Sequence, residues 1–197
     1  MAITQFSPSS LRNKVGDFAR GHRFNVVIDR PPRIQGLQSS VNQNLQFLCE
    51  SVSLPTRSLA SNAQDIYGPP REIPYRTTFT ESAMSFILDD NMEVKDYFDT
   101  WQEYIVNEET GNPRYWDNYV TQITIHRLKN TASSLAGPDN IAYSVLLREA
   151  YPSVIGEVAM GHTGGGEVLR LPVTFKYKSW TRNLTARGQA PVAGHHG

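Results

Sequence analysis

The sequence predicts a mainly β protein with one packed α-helix, built as an antiparallel β-sandwich or rolled barrel. Three observations carry this. Short alternating segments bounded by Gly, Pro, Asn and Ser recur along the chain, the pattern of half-buried strands and turns. A single segment has a sustained helical stripe. The most regular stretch, Glu167 to Trp180, places Leu169, Leu171, Val173, Phe175 and Tyr177 on one face of a strand. Arg170, Pro172, Thr174, Lys176 and Lys178 share the other. Extended, that run would span on the order of 40 Å. Strands so long recruit other chains unless their edges are paired or guarded.

The elements follow in order. Residues 8–22, PSSLRNKVGDFARGH, read as a short helical turn or two, entered at Ser9 or Ser10 and stopped at Gly21. Phe24, Val26 and Ile28 alternate with Asn25, Val27 and Asp29 and predict a strand. Residues 30–43, with two prolines and a glycine, predict a surface loop. NLQFLCESVSL predicts a second strand with Leu45, Phe47 and Cys49 on one side. Pro55 to Tyr75 reads as a long irregular excursion, an extended arm of a length that in compact domains marks a functional or flexible segment. REIPYRTTF and SAMSFILDD are further strands.

The helix follows. Val94, Phe98, Trp101 and Ile105, spaced 4, 3 and 4, make one apolar stripe. Asp90 with Glu93 has the capping-box pattern, and Gly111 and Pro113 mark the end. Tyr119, Ile123 and Ile125 share a face of the next strand, and residues 129–140 predict a loop. Residues 142–160 predict strand, turn at Pro152, strand, and GHTGGG the tip of a hairpin into the final alternating run. Residues 1–182 are expected to form one domain. Residues 183–197, almost without large apolar side chains, are expected to be a mobile tail.

Composition narrows the function. Hydrophobic residues make up 39% of the chain, enough for a real core. Nineteen Lys and Arg balance nineteen Asp and Glu. A dedicated nucleic-acid binder would need a basic excess, and neutrality removes a repulsion between copies. Cys49 is the one cysteine, so no intrachain disulfide forms; it reads as a small buried apolar residue. No apolar run approaches the ~20 residues of a membrane span. MAITQFSPSS lacks the layout of a signal peptide, so folding in a reducing cytoplasm without a membrane anchor is expected.

Catalytic groupings are sparse. GHTGGGE lacks the order and the lysine of a phosphate loop. His22, His126, His162, His195 and His196 have no metal-ligand spacing. His126, opposite Ile123 and Ile125, is expected to face solvent or a neighbouring subunit. Asp89–Asp90 and Glu108–Glu109 read as helix capping and solvation. The expectation is a non-enzymatic protein with no cofactor and no metal.

Four blocks in order carry a resemblance: VGDFARGHRFNVVI, FLCESVSLP, YFDTWQEYI and EAYPSVIGEV. From about Lys14 to Trp180 the chain resembles the tail tube proteins of contractile-tailed bacteriophages, whose fold is related to pyocin and type VI secretion tube proteins. The resemblance implies a small β-barrel or sandwich with one flanking helix. Six copies would join their sheets edge to edge into a continuous ring barrel, and rings would stack into the inner tail tube. It implies a surrounding sheath, baseplate and tape-measure partners, and DNA passing through the lumen without specific binding. The virion tail would be the location, after assembly in the host cytoplasm.

Within that resemblance, Arg57, Tyr67, Arg71 and Tyr75 are the candidate contacts of the arm. Asp17, Phe18 and Arg20 are candidates near a subunit boundary, with Phe18 equally readable as plain core. The lumen is expected to be polar and neutral-to-acidic. Arg170, Lys176 and Lys178 should therefore face away from it or be offset by nearby acids. Pro172, unable to donate to a ladder, should mark a bulge or an outer edge. A tube-like baseplate initiator or terminator of the same fold is the nearest alternative. A soluble small-ligand-binding β-barrel, or an enzyme using Cys49 or a histidine, stands further off.

Overall fold

A computed structural model describes residues 19–34, 36–64, 68, 71–107, 110–130, 140–162 and 166–182. The expected N-terminal turns with Asp17 and Phe18, Tyr67, and the expected tail at 183–197 lie outside the described residues. The elements are β1 (Phe24–Ile28), α1 (Ser39–Leu48), β2 (Cys49–Val52), β3 (Arg57–Gln64), β4 (Arg71–Phe79) and β5 (Ser82–Ile87). They continue with α2 (Glu93–Ile105), α3 (Trp116–Tyr119), β6 (Thr121–Leu128), β7 (Ile141–Ile155), β8 (Arg170–Lys176) and β9 (Ser179–Arg182).

Seven strands form one antiparallel sheet in the order β1-β6-β7-β8-β5-β2, with β9 pairing the first half of β7. The sheet does not close on itself: β1 and β2 are its two ends. Alternation decides its inner face. Val26, Ile28, Ile123, Ile125, Val145, Leu147, Leu171, Val173, Phe175, Met84 and Phe86 are all buried. Against them lie Val94, Tyr97, Phe98 and Trp101 of α2 and Val41 and Leu45 of α1. Phe98 meets Phe86 and Phe175 at centroid separations of 5.1 and 6.0 Å, a spacing at which aromatic pairs attract beyond their area. Trp101 Nε1–H donates to the Tyr119 carbonyl at 2.9 Å, so its polar edge is satisfied in the core.

The long alternating run is largely one bent strand. β8 pairs with β5 and with Tyr151–Ile155 of β7, and β9 resumes on Val145–Arg148. At the joint Glu149 has φ 53°, a left-handed value uncommon for a side-chain-bearing residue. β7 shifts register with β6 there and passes from β9 to β8.

Several expectations are corrected. The second strand is instead α1 followed by the short β2. Leu37, Val41, Leu45 and Leu48 repeat at helical spacing, and this stripe prevails over the accidental alternation Leu45, Phe47, Cys49; Phe47 is 65% exposed. The loop expected at 30–43 thus gives way to helix at Ser39, and three helices, not one, occur among the described residues. At α2 it is Asp89, not Asp90, that caps: its carboxylate accepts from the Glu93 and Val94 N–H groups at 3.3 and 3.4 Å. Pro152 is no turn; β7 runs through it, with a register shift between Pro152 and Val154.

Pro172 lies inside the sheet, paired with Ser85, neither bulged nor at an outer edge. Its carbonyl accepts from the Gly156 N–H at 2.7 Å, just past the last β7–β8 pair, Ile155–Val173. N–H and C=O of a strand residue point the same way, so the missing donor falls where the ladder ends.

Candidate assembly surface

Within the segment expected to be irregular, Arg57–Gln64 is a strand, and it pairs with β4, where REIPYRTTF is expected to be one. β3 and β4 pair from Arg57–Phe79 out to Gln64–Arg71, with one irregularity between Ala60 and Ser61. Among the described residues neither strand joins a third in a backbone ladder. Nearly every residue of both strands is exposed, including Leu59 at 63%, Ile73 at 45% and Tyr75 at 70%. This explains why RSLASNAQ carried no alternation. A strand with two wet faces in its own chain has no buried set to reveal it.

The base of this arm is fastened to the sheet. The Arg57 guanidinium lies 4.5 Å from the Trp180 ring and 5.8 Å from that of Phe79, and donates to the Trp180 carbonyl at 3.3 Å. Trp180 Nε1–H returns a bond to the Thr56 carbonyl at 3.3 Å. The Tyr177 hydroxyl donates to the Thr80 carbonyl, and the Thr56 and Thr80 hydroxyls bond each other. Arg57 is therefore held at the arm base by contacts within the chain. Arg71 and Tyr75 lie on the exposed ladder, and Arg20 is exposed on the segment before β1. The structure does not bring Arg20 together with the arm residues. The anchors Thr56, Thr80 and Trp180 were not singled out from sequence. Trp180 had one signal, a large aromatic ending an otherwise regular alternation.

Beside that base is a cleft lined by Phe79, Thr80, Glu81, Trp116, Glu149, Tyr151 and Lys176 to Lys178. Glu149 accepts from Lys178 Nζ and from Trp116 Nε1–H, both at 2.7 Å. The Lys178 hydrogen bond foremost, and then the Trp116 one, hold its carboxyl below the usual carboxylate range. Arg170 forms a fork with Glu50 at 2.6 and 3.0 Å, and Lys176 pairs with Glu81 at 3.2 Å. The three cations singled out in the sequence are thus each offset by an acid. The Glu50 carboxyl is lowered chiefly by its hydrogen bond from Arg170.

Among the described residues no catalytic grouping forms around Cys49 or His126. Cys49 is partly buried, its thiol donates to the Ser51 carbonyl at 3.5 Å, and burial pushes its pKa up to about 12. A thiol so raised is a poor nucleophile. His126 is half-buried rather than facing open solvent. Burial lowers its pKa, and its Nδ1 and the Oγ of Ser144, directly across on β7, have no hydrogen-bond partner. Among the described residues no cluster of His, Cys, Asp and Glu could hold a metal ion, and no helix is long and apolar enough to cross a membrane.

The family described as phage tail tube protein matches residues 19–183. Solved structures share the fold at low identity. One chain is from "an Extracellular Contractile Injection System, PVC sheath-tube complex in extended state": TM-score 0.59, 14% identity, covering 91% of this chain and 99% of that one. Another is from the PVC "sheath/tube terminator in extended state": 0.60, 15% identity, covering 86% and 99%. A third is from the anti-feeding prophage "tube terminating cap": 0.59, 14% identity, covering 93% and 99%. Among curated proteins no sequence matches.

Proposed function

The chain belongs to the phage tail tube protein family, and from that membership we propose that it is the subunit of the inner tube of a contractile tail. Copies join side by side into six-membered rings, and the rings stack into the conduit through which the genome leaves. The observation that carries this reading is the β3–β4 arm. A two-stranded ladder is marginal alone in water, and this one leaves Leu59, Ile73 and Tyr75 exposed and its outer edges unpaired among the described residues. Covering side chains of that kind contributes about 1.5–3 kcal/mol each. Pairing the edges removes their aggregation hazard. A head-to-tail contact between copies can close into a ring or run on as a filament, and both are needed here.

The finer reading is as follows. Residues 1–182 form the tube domain, with 55–75 as the arm and 183–197 as a tail. Arg57, Tyr67, Arg71 and Tyr75 contact a neighbour along the arm, and Asp17, Phe18 and Arg20 pack near a subunit boundary. The outer face of β8 lines the lumen, where the Arg170–Glu50, Lys176–Glu81 and Lys178–Glu149 pairs support a wall without net grip on phosphates. Sheath lies outside, baseplate and tape-measure proteins at the ends, and DNA passes without specific binding. The role is structural, not enzymatic. The location is the virion tail after assembly in the host cytoplasm.

Electron microscopy of the purified chain at high concentration tests it: rings or tubes are expected, and a stable monomer that never associates overturns it. A tube initiator or terminator is the second reading, favoured by the similarity to chains from a tube terminator and a terminating cap. It predicts single rings that bind tube ends and never elongate.

A further inference from the structure

Near the two ends of helix α2, whose own last turn has no basic residue, lie charges of opposite sign that make no ion pair among the described residues. At its C-terminal end Tyr104 shares a pocket with Arg30, Pro31, Pro32, Arg33 and Ile34. The Arg114 guanidinium lies 4.3 Å from the Tyr104 ring centroid. All three arginines are exposed, and none makes an ion pair among the described residues. Two are nevertheless held in place by neutral groups. Arg30 donates to Ser39 Oγ at 3.1 Å and to the Ile34 carbonyl at 3.5 Å. Arg114 is held against the phenol ring, and its backbone N–H donates to the Ile105 carbonyl at 2.9 Å. Adjacent prolines stiffen the loop carrying Arg30 and Arg33. Positioned cations without counter-charges make a seat for carboxylates.

At the other end are Asp90, Glu93 and Asp96, also without ion pairs among the described residues. Lys95, which lies between them in sequence, bonds Asp99 instead. Glu93 and Tyr104 are separated by about 16 Å along the helix axis. Acids at a helix N-terminus and cations near its C-terminus also complement the helix dipole. That accounts for their signs. It leaves open the positioning of the arginines on a pocket wall.

We propose that the pocket carrying Arg30 and Arg33, together with Arg114 on its Tyr104, receives in one copy the Asp90, Glu93 and Asp96 end of α2 from a second copy of this chain. The occupant is argued from charge. Asp90, Glu93 and Asp96, which make no ion pair among the described residues, are an acidic cluster of this chain complementary to those arginines. Two different patches meeting give a head-to-tail contact, the kind that propagates. DNA is a poorer fit, because one compact pocket cannot track a phosphate backbone. This inference rests on the self-assembly proposed above.

Charge reversal tests it with the full chain, by sedimentation and microscopy. Arg33→Glu with Arg114→Glu, and separately Glu93→Lys with Asp96→Lys, should each raise the concentration needed for assembly by about tenfold or more, since like charges brought together cost several kcal/mol. An equimolar mixture of the two variants, and the single chain carrying all four changes, should recover assembly. Thermal unfolding checks that each variant folds. Arg33→Ala, which removes no hydrogen bond or ion pair among the described residues, is the milder companion and should weaken assembly more at low salt than at high. If the variants assemble like the unmodified chain, or the combined reversal restores nothing, this contact is overturned and the tube reading stands. If pocket variants still form rings but lose binding of sheath protein, the occupant is another chain and the proposal fails. If the unmodified chain never associates, both readings fail.

Discussion

Gly156 shows how a single position sets the geometry of the long hairpin. Its N–H holds the Pro172 carbonyl, and an added Cβ would lie 2.5 Å from Pro172 Cγ. A ring carbon of proline has little freedom to retreat, so Gly156→Ala should cost about 1–3 kcal/mol, the usual penalty for overpacking. A denaturant midpoint measures it, and Pro172→Ala in the same chain should relieve part of the loss. His126 sets a pH dependence. Burial lowers its pKa below the ordinary 6.5, so the folded chain resists a proton that the unfolded chain accepts. Stability on this account is full above pH 6.5 and declines as pH falls through that value. Unfolding midpoints at pH 7.5 and 5.5 should differ, and His126→Gln should remove most of that difference. The acids Glu50 and Glu149 act lower: their lowered values give stability above the usual carboxylate range that is lost on further acidification.

At the scale of elements, what was legible in the sequence is what the chain buries in itself. The stripe of α2 and the alternation of β6 and β8 could be read directly, because one face of each packs into the core. α1 was misread because Leu45, Phe47 and Cys49 alternate by accident, while its true partner positions, Leu37 and Val41, lay in a segment dominated by its prolines and glycine. β3 could not be read at all, since neither face is covered. The same holds for the candidate surface: residue type alone singles out Tyr75 and Arg71, while the anchors at the arm base depend on contacts more than 100 residues apart in sequence. The arm contributes little to the core. Replacing residues 57–79 by a short Gly-Ser connection should therefore leave a folded chain with a melting temperature within a few degrees of the original, yet abolish ring formation. Arg57→Ala should do so more mildly. Its cation–π contact is worth about 0.5–1 kcal/mol, small for the fold but sufficient to loosen the angle of the arm.

At the scale of the molecule, the sheet is open at β1 and β2 and the arm adds two further edges. Paired charges on the outer face of β8 suit a conduit. If that face lines the lumen, Glu50→Gln with Glu81→Gln would leave Arg170 and Lys176 unbalanced in every subunit, and assembled tubes should retain duplex DNA at low salt and release it as salt rises. The most direct measurement is a cryo-EM map of the assembled chain at a resolution that traces backbone. The account predicts β-ladders that pass from one copy to the next and arms whose exposed faces are covered by neighbouring copies. A map in which each copy pairs its strands only within itself, with the arm projecting into solvent, would contradict it.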